Sequence, residues 1–406
     1  RPDFDASLAS LRVLTSFDGD LHLDSLSFEG IRAGYPTLPS LGSITGQVRL
    51  AGTMERMELD ADVRGEIGAL RVRGPAVVMP PRWGGDSLQI DFRNLDLRAL
   101  RGSGPTSDLT GGVFVVGSID TLRAPEGSIV GALGPGRLDA FRLDTAEARI
   151  SVRDSVVTVD TIGADWRGGM LGGRGTLGWA APYEGQMELT ARFDSLHAFD
   201  SLLVARLELG PDSAGTGLQG EGRLDLSLAG SLDSLVVAGF ADASRLKFRG
   251  ARLNSLSATF GWAGGSRPQL SLQMLADTIA SGPLAATNVR VGSRGWSDSL
   301  EWSGSFESGD GAAFGAIGRF DTEGATRRFA IDSLSMALSG HLWRLLAPAV
   351  AETTDSGTVL SPLRLESVDG SGAVTVAGTL PGETPGRLRL DAYGLDLRDL
   401  AGVLRG

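Results

Sequence analysis

Few residues of this 406-residue chain could do nucleophilic chemistry. The string "GGDSLQIDF" holds Gly-Asp-Ser-Leu, with Ser87 in the place of a nucleophile. Downstream, Asp194 and His197 have the spacing of an acid that could orient an imidazole. Hydrolysis would need Ser87 Oγ to pass its proton to His197 while Asp194 holds the ring. However, Asp-Ser-Leu also begins at Asp24, Asp194, Asp200, Asp233, Asp298 and Asp332, so a Gly before one copy carries little information. A nucleophile in such a block works from an α/β layered fold, which the surrounding pattern does not support. Two Gly-x-Gly-x-x-Gly strings occur, Gly173-Gly175-Gly178 and Gly215-Gly217-Gly220. A dinucleotide site needs a strand before the glycines and a helix after them, so that phosphate meets the helix N-terminus. The first string runs into Trp179 and Pro182 and the second into the strand pattern "GRLDLSL", so turn glycines are expected.

His22, His197 and His341 are scattered, there is no cysteine, and no zinc spacing occurs. Asp60 and Asp62 alternate along a strand pattern, which sends both carboxylates to the solvent side, and they lack the spacing of a calcium loop. Trp343 is expected to pack. The expectation is a protein that is not an enzyme and that needs neither cofactor nor metal.

The composition narrows the class further. Net charge is −11, which disfavours a nucleic-acid groove. The 58 glycines are about twice the usual share and, without a collagen period, suggest many turns. No run of 18 apolar residues exists, so no transmembrane helix is expected. The start, "RPDFDASLAS", has neither an initiator Met nor a signal-peptide core, and "LAGVLRG" stops inside an apolar pattern. The expectation is a segment of a longer chain, with any anchor or export signal outside it.

The elements are strands. Apolar and polar residues alternate at 21–23, 26–28, 48–50, 88–92, 113–116, 156–159, 187–193, 207–209, 224–228, 246–248, 256–260, 270–274, 289–291, 329–338, 363–365, 374–376 and 388–390, with Gly, Pro, Asp and Ser between. Helical candidates are few: "HLWRLLAPAVAE" (His341 to Glu352), interrupted by Pro348; "DSLHAFDSLLVA" (Asp194 to Ala205); and one or two turns in "NLDLRALR" and "GLDLRDLAGVL". Three stretches, from Gly46, Gly222 and Gly372, share one plan of strand, Gly, Ser or Thr, turn and strand. This degenerate repetition points to one elongated, repeating antiparallel sheet over residues 1–406, with a soft break at 208–222.

Such strands have one apolar face, and something must lie against it. Facing sandwiches predict composition breaks and heavier aromatic cores. An outer-membrane barrel predicts longer strands with aromatic girdles. A sheet curled into a trough, its apolar floor holding another molecule's hydrocarbon, fits the long meander and its Leu/Val lining. On this reading the floor includes Val48, Leu50, Leu224, Leu226, Leu228, Leu246, Phe248, Val374, Val376, Leu388 and Leu390, with ordinary core packing as the alternative for each. The competing reading of the whole chain is a structural periplasmic or surface β-solenoid or adhesin that binds protein.

Residues Leu334 to Leu404 resemble the TamB branch of the AsmA-like, bridge-like lipid transfer proteins. The likeness rests on Trp343-Arg344-Leu345 before Ala347-Pro348-Ala349, on the strand–Gly-Thr-Leu–strand unit from Gly372 to Leu390, and on Leu395-Asp-Leu-x-x-Leu400. "GQVRLAGTMERMELDADV" and "RGGMLGGRGTLGWAAPYEGQMELTARFDSL" look like the same family's repeats. The resemblance implies an all-β antiparallel meander folded lengthwise into a U-shaped groove (a β-taco) with few short helices. It implies a phospholipid conduit in the periplasm of a diderm bacterium, linked to outer-membrane biogenesis and anchored to the inner membrane by a region outside this segment. Its partners would be phospholipid acyl chains, both membranes and an outer-membrane barrel assembly protein, with no catalytic residues.

Overall fold

The computed structural model of the chain describes residues 16–27, 42–53, 56–79, 82–101, 106–120, 126–139, 141–199, 217–282, 284–308, 311–324, 326–338, 341–354, 357–380 and 386–394. The chain divides into two compact units. One holds Arg1–Phe193, Ala198–Pro211 and Ser227–Asp233; the other holds Asp194–His197, Asp212–Leu226 and Ser234–Gly406.

The first unit is built from β1 (Phe17–Ser27), β2 (Ser43–Thr53), β3 (Arg56–Gly65), β4 (Gly68–Met79), β5 (Arg82–Leu95), β6 (Ser107–Asp120), β7 (Glu126–Leu133), β8 (Gly136–Leu138), β9 (Phe141–Leu143), β10 (Thr145–Arg153), β11 (Val156–Trp166), β12 (Gly169–Gly178) and β13 (Gly185–Phe193). Strands β1 to β7 pair antiparallel in chain order. β10 then pairs with β7, and the meander continues to β13. The short β8 and β9 branch from the start of β6 as a separate ladder. The one helix among the described residues, α1 (Leu97–Arg101), lies within "NLDLRALR". It is capped by Asp96, whose carboxylate accepts the Arg98 N–H at 2.9 Å.

β14 (Gln219–Gly230) contributes residues to both units. The second unit continues with β15 (Val236–Phe248), β16 (Ala251–Ala263), β17 (Gln269–Ser281), β18 (Leu284–Trp296), β19 (Ser299–Ser308), β20 (Ala313–Glu323), β21 (Thr326–Leu338), β22 (His341–Leu345), β23 (Ala349–Thr354), β24 (Gly357–Ser367), β25 (Ala373–Leu380) and β26 (Arg387–Tyr393). It too is an antiparallel meander in chain order. The fold is therefore all-β with very little helix, as the alternation predicts.

Three local expectations need correction. "HLWRLLAPAVAE" is not helical: β22 and β23 are two halves of one strand position, both pairing with β21 on one side and β24 on the other. Pro348 breaks the strand there, because it has no N–H to give to a ladder. "DSLHAFDSLLVA" forms a single 3-10 turn over Leu196–Phe199, and the rest of that stretch lies outside the described residues. So do "GLDLRDLAGVL" beyond Gly394, the run 207–209, and most of the soft break at 208–222.

The third correction concerns glycine. Gly173 and Gly175 lie inside β12, not in turns. Gly85, Gly117 and Gly127 are cross-strand partners on β5, β6 and β7. Gly117 and Gly127 have φ of 138° and 154°. A Cβ on Gly117 would stand 2.3 Å from the Glu126 carbonyl oxygen, so only glycine fits. Such positions let strands bend and approach closely. The three echoes share this device: Gly52, Gly230 and Gly378 follow Ala and precede Thr or Ser, with φ of 121°, 98° and 138°.

Gly117→Val should lower the urea-unfolding free energy by about 2 kcal/mol or more, combining backbone strain with a clash. Gly172→Ala is the control. It sits on β12 at ordinary φ with nothing within 4 Å of its added methyl, so stability should change by less than about 1 kcal/mol. Equal effects of the two substitutions would contradict this account.

Candidate functional site

Strand alternation and cross-strand register together define one continuous apolar face in each unit. In the first unit one row runs Leu21, Val48, Ala61, Val72, Ile90, Val113, Gly131, Ala148, Ile162, Gly173 and Leu189, each directly opposite the next. In the second unit a row runs Val237, Trp262, Leu270, Gly295, Leu300, Phe320, Phe329, Ala351, Leu360, Gly378 and Leu388. No charged residue interrupts either row. The opposite face carries the charges, many in opposite-sign pairs: Arg73 Nε lies 3.4 Å from Asp60, and Arg328 lies 3.3 Å from Glu352, each pair directly opposed in register.

The apolar face would lose its continuity at any phase slip, because a one-residue offset turns every later side chain over. In the second unit four neighbouring strands slip together. The apolar positions jump between Ala243 and Leu246 on β15, Leu253 and Leu256 on β16, Ala276 and Ile279 on β17, and Ala286 and Val289 on β18. Arg245 and Asn288 take left-handed φ of 54° and 52° in these slips. Matched slips keep the registers regular and the face whole.

Most residues of the two faces are half-buried, with buried points at Ile44, Met57, Phe92, Val159, Leu177 and Met187. Large side chains also stand exposed in the middle of the faces: Ile129 at 46%, Phe329 at 41%, Phe306 at 37%. On β19 to β21 aromatic rings stack in pairs, Trp302 on Phe329 at 4.9 Å and Phe306 on Phe314 at 4.6 Å. Trp302 lies over Gly318, directly opposite, where a Cβ would meet the indole at 2.7 Å. Its Nε1–H is buried without a hydrogen-bond partner, a measure of how apolar its surroundings are. One end of the first unit's face is closed by a cluster of Phe141, Trp166, Phe193 and Phe199, with ring centroids 5.4 to 6.1 Å apart.

The structure places the residues expected from the sequence as follows. Val48 and Leu50 lie on the first unit's apolar face, opposite Ala61 and Leu59. Leu246 and Phe248 lie on the second unit's face, opposite Leu253 and Ala251. Val374 and Val376 face Leu365 and Leu363 there; Leu390 is opposite Val376 and Leu388 opposite Gly378. Leu388 and Leu390 are 54% and 67% exposed. Leu224, Leu226 and Leu228 are half-buried on β14, and Leu226 reaches over Gly239. Sequence reasoning missed the aromatic stretch of β19 and β20. Its signal was present as Leu300, Trp302, Gly304 and Phe306 at period two, which reads as a strand only once glycine is counted with the apolar residues.

Ser87 lies at a bulge in β5 of the first unit, and Asp194 and His197 belong to the second. A different Ser/His/Asp group forms near the β24–β25 turn. His341 Nδ1 lies 2.9 Å from Asp369 Oδ2, and Ser371 Oγ donates to Asp369 Oδ1 at 2.7 Å. A serine nucleophile must donate to the imidazole. Here serine and imidazole both bind one carboxylate, so the arrangement ties down a turn. Among the described residues no group of His, Cys, Asp and Glu could hold a metal ion, and no helix is long and apolar enough to cross a membrane. No protein-family model, characterised protein or solved structure matches the chain.

The Ser371, Ser367 and His341 contacts hold the Asp369 carboxyl well below the usual aspartate range. A depressed folded value means that the turn is stabilised above the ordinary pKa, near 4, and loses that support only as pH falls through the lower folded value. The Ser371 amide, which donates to Asp369 at 3.0 Å, should therefore show no NMR shift step centred near pH 4 and should report protonation of Asp369 only in stronger acid. A titration midpoint near 4 would contradict the geometry.

Proposed function

We propose that this chain is a non-enzymatic conduit that carries phospholipid acyl chains along its apolar sheet face between two membranes. The observation that carries the reading is an apolar face, continuous from β1 to β13 and again from β15 to β26 and free of charge except for Arg327 at the end of β21, that leaves large side chains such as Phe329 exposed mid-sheet. Exposed apolar surface of this extent marks binding sites. The half-burial of most of its residues is what lateral neighbours alone can give. Packing beneath a second layer would bring such residues close to full burial. Acyl chains suit the face because each buried CH₂ contributes about 0.8 kcal/mol without needing a specific partner.

Uniformity favours movement over storage. A charge on the face would act as a barrier to hydrocarbon, and a deep pocket would act as a trap. A floor of Leu, Val, Ile, Phe and Gly offers similar affinity at successive rows, so a chain can slide from one to the next. The charged opposite face keeps such a sheet in water. The resemblance to the TamB branch gives the setting: a groove folded lengthwise, the periplasm of a diderm bacterium, and contacts with the inner membrane, the outer membrane and an outer-membrane barrel assembly protein made through regions outside this segment.

Phe329→Asp puts a charge in mid-face at a residue already 41% exposed, so the fold should survive. A carboxylate in a hydrocarbon environment costs on the order of 3 kcal/mol. Bound phospholipid, measured by native mass spectrometry on the purified chain, should fall at least tenfold. Leu275→Asp, on the charged face of β17 and 53% exposed, should leave it unchanged. Equal lipid content in the wild type and Phe329→Asp would remove the proposal.

A further inference from the structure

The hairpin of β15 and β16 carries Arg245, Lys247, Arg249 and Arg252 within eight residues, in a chain whose net charge is −11. Lys247 is the chain's one lysine. Lys247 and Arg252 stand directly opposite each other in the ladder, both exposed on the charged face. Like charges in this position repel and destabilise a strand pair. Most directly opposed charges elsewhere attract, as at Asp60–Arg73 and Arg328–Glu352; the other like-charge pair among the described registers is Arg137 opposite Arg142 on the short β8–β9 ladder.

The neighbouring groups do not relieve the repulsion. The next residue across the ladder from Arg252 is Ala280. Glu221 on β14 is already engaged, accepting Ser244 Oγ at 2.9 Å and bridging to Arg245. Lys247 and Arg252 form no ion pair or hydrogen bond with any described residue. They line an open depression of about 540 Å³ shared with Ser195, Gln219 and Asn254, which supply neutral donors, and with Asp194 and Glu221. A volume in this range suits a small ligand.

We infer that the Lys247–Arg252 pair is a binding site for a phosphate group. Cβ atoms of directly opposed residues are about 5 Å apart, so an ammonium and a guanidinium can converge on one anion. The guanidinium offers a fork that matches phosphate oxygens, and the ammonium adds a point charge. A bound phosphate turns the like-charge register from a repulsive contact into a bridge. The phosphate could belong to a lipid headgroup at a bilayer surface or to a small phosphate ester in solution. The inference does not depend on the acyl-chain conduit, because the two cations stand on the charged face, although Leu246 and Leu253 also line the depression.

The test compares the wild-type chain with Lys247→Gln/Arg252→Gln. Inorganic phosphate is titrated against each by ³¹P NMR line broadening, and flotation is measured with phosphatidylglycerol and phosphatidylcholine vesicles. Phosphate binding by the wild type that weakens at least tenfold in the double variant supports the site as a receptor for soluble phosphate. Flotation with phosphatidylglycerol but not phosphatidylcholine, lost in the double variant, supports a headgroup receptor. Removing a repulsive pair predicts an unchanged or raised Tm, so the double variant remains folded. Arg252→Lys, which keeps the charge but loses the fork, should weaken binding less than the double variant does. No binding in either assay by the wild type, or undiminished binding by the double variant, overturns the inference. Acyl-chain content by native mass spectrometry should be the same in both proteins, which separates this result from the fate of the conduit.

Discussion

A β-strand sends successive side chains to opposite sides, and the chemistry of this chain follows from keeping that division intact over a very long path. One side must stay uncharged and the other must stay wet. Every backbone irregularity threatens the division. A bulge in one strand turns over all later side chains of that strand relative to its neighbours. The second unit resolves this by placing slips at the same row of β15, β16, β17 and β18. At β19 the run of matched slips ends, and there the register itself shifts between Thr287 and Arg290. The apolar rows continue through this shift: Val291 faces Gly304, and Gly295 faces Leu300. The face is thus preserved by compensation between backbone defects as well as by sequence alternation.

Glycine does the complementary work. Large side chains on the apolar face lie over glycines directly opposite them: Phe260 over Gly239, Leu189 over Gly173, Trp302 over Gly318. An aromatic ring then covers backbone that a glycine leaves bare, an arrangement known to steady strand glycines. The same pairing lowers the floor under the ring, so the face stays level despite its mixture of sizes. This accounts for a composition that combines abundant glycine with few aromatics. Other rings face rings, as Phe306 faces Phe314 and Phe320 faces Phe329, and rows such as Gly85, Gly117 and Gly127 give the strands freedom to bend.

The fold class was legible because period-two alternation is a strong local signal, and nearly every strand carries it. The apolar-face residues were legible for the same reason: Val48, Leu50, Leu246, Phe248, Val374 and Val376 sit where alternation puts them. Three things were not legible. Glycine inside a strand and glycine in a turn look alike in sequence, and only the opposing carbonyl, as at Gly117, separates them. The stretch from His341 to Glu352 has apolar spacing that fits a helix, because Trp343, Leu345 and Leu346 cluster before a proline. Its strand identity comes from neighbours outside the stretch, Met336 and Ser367, on either side of Trp343. The phase slips were hidden too, since Ala243-Ser-Arg-Leu246 shows no departure until the register of its partner strand is known.

The two faces obey different rules. On the wet face, pairs such as Arg319–Asp332 at 3.1 Å are exposed and screened, so each adds little stability. Their use is in register: sliding β20 against β21 by two residues, for example, would take Asp321 from Arg328 and set Arg319 opposite Arg328 instead. On the apolar face a two-residue slide costs little specificity, since Leu, Val and Gly are nearly interchangeable there. Register is therefore written mainly on the charged side. This separation leaves the apolar side free to vary in size and shape. A like-charge pair on the wet face, as at Lys247 and Arg252, then stands out as a position where pairing alone does not explain the residues.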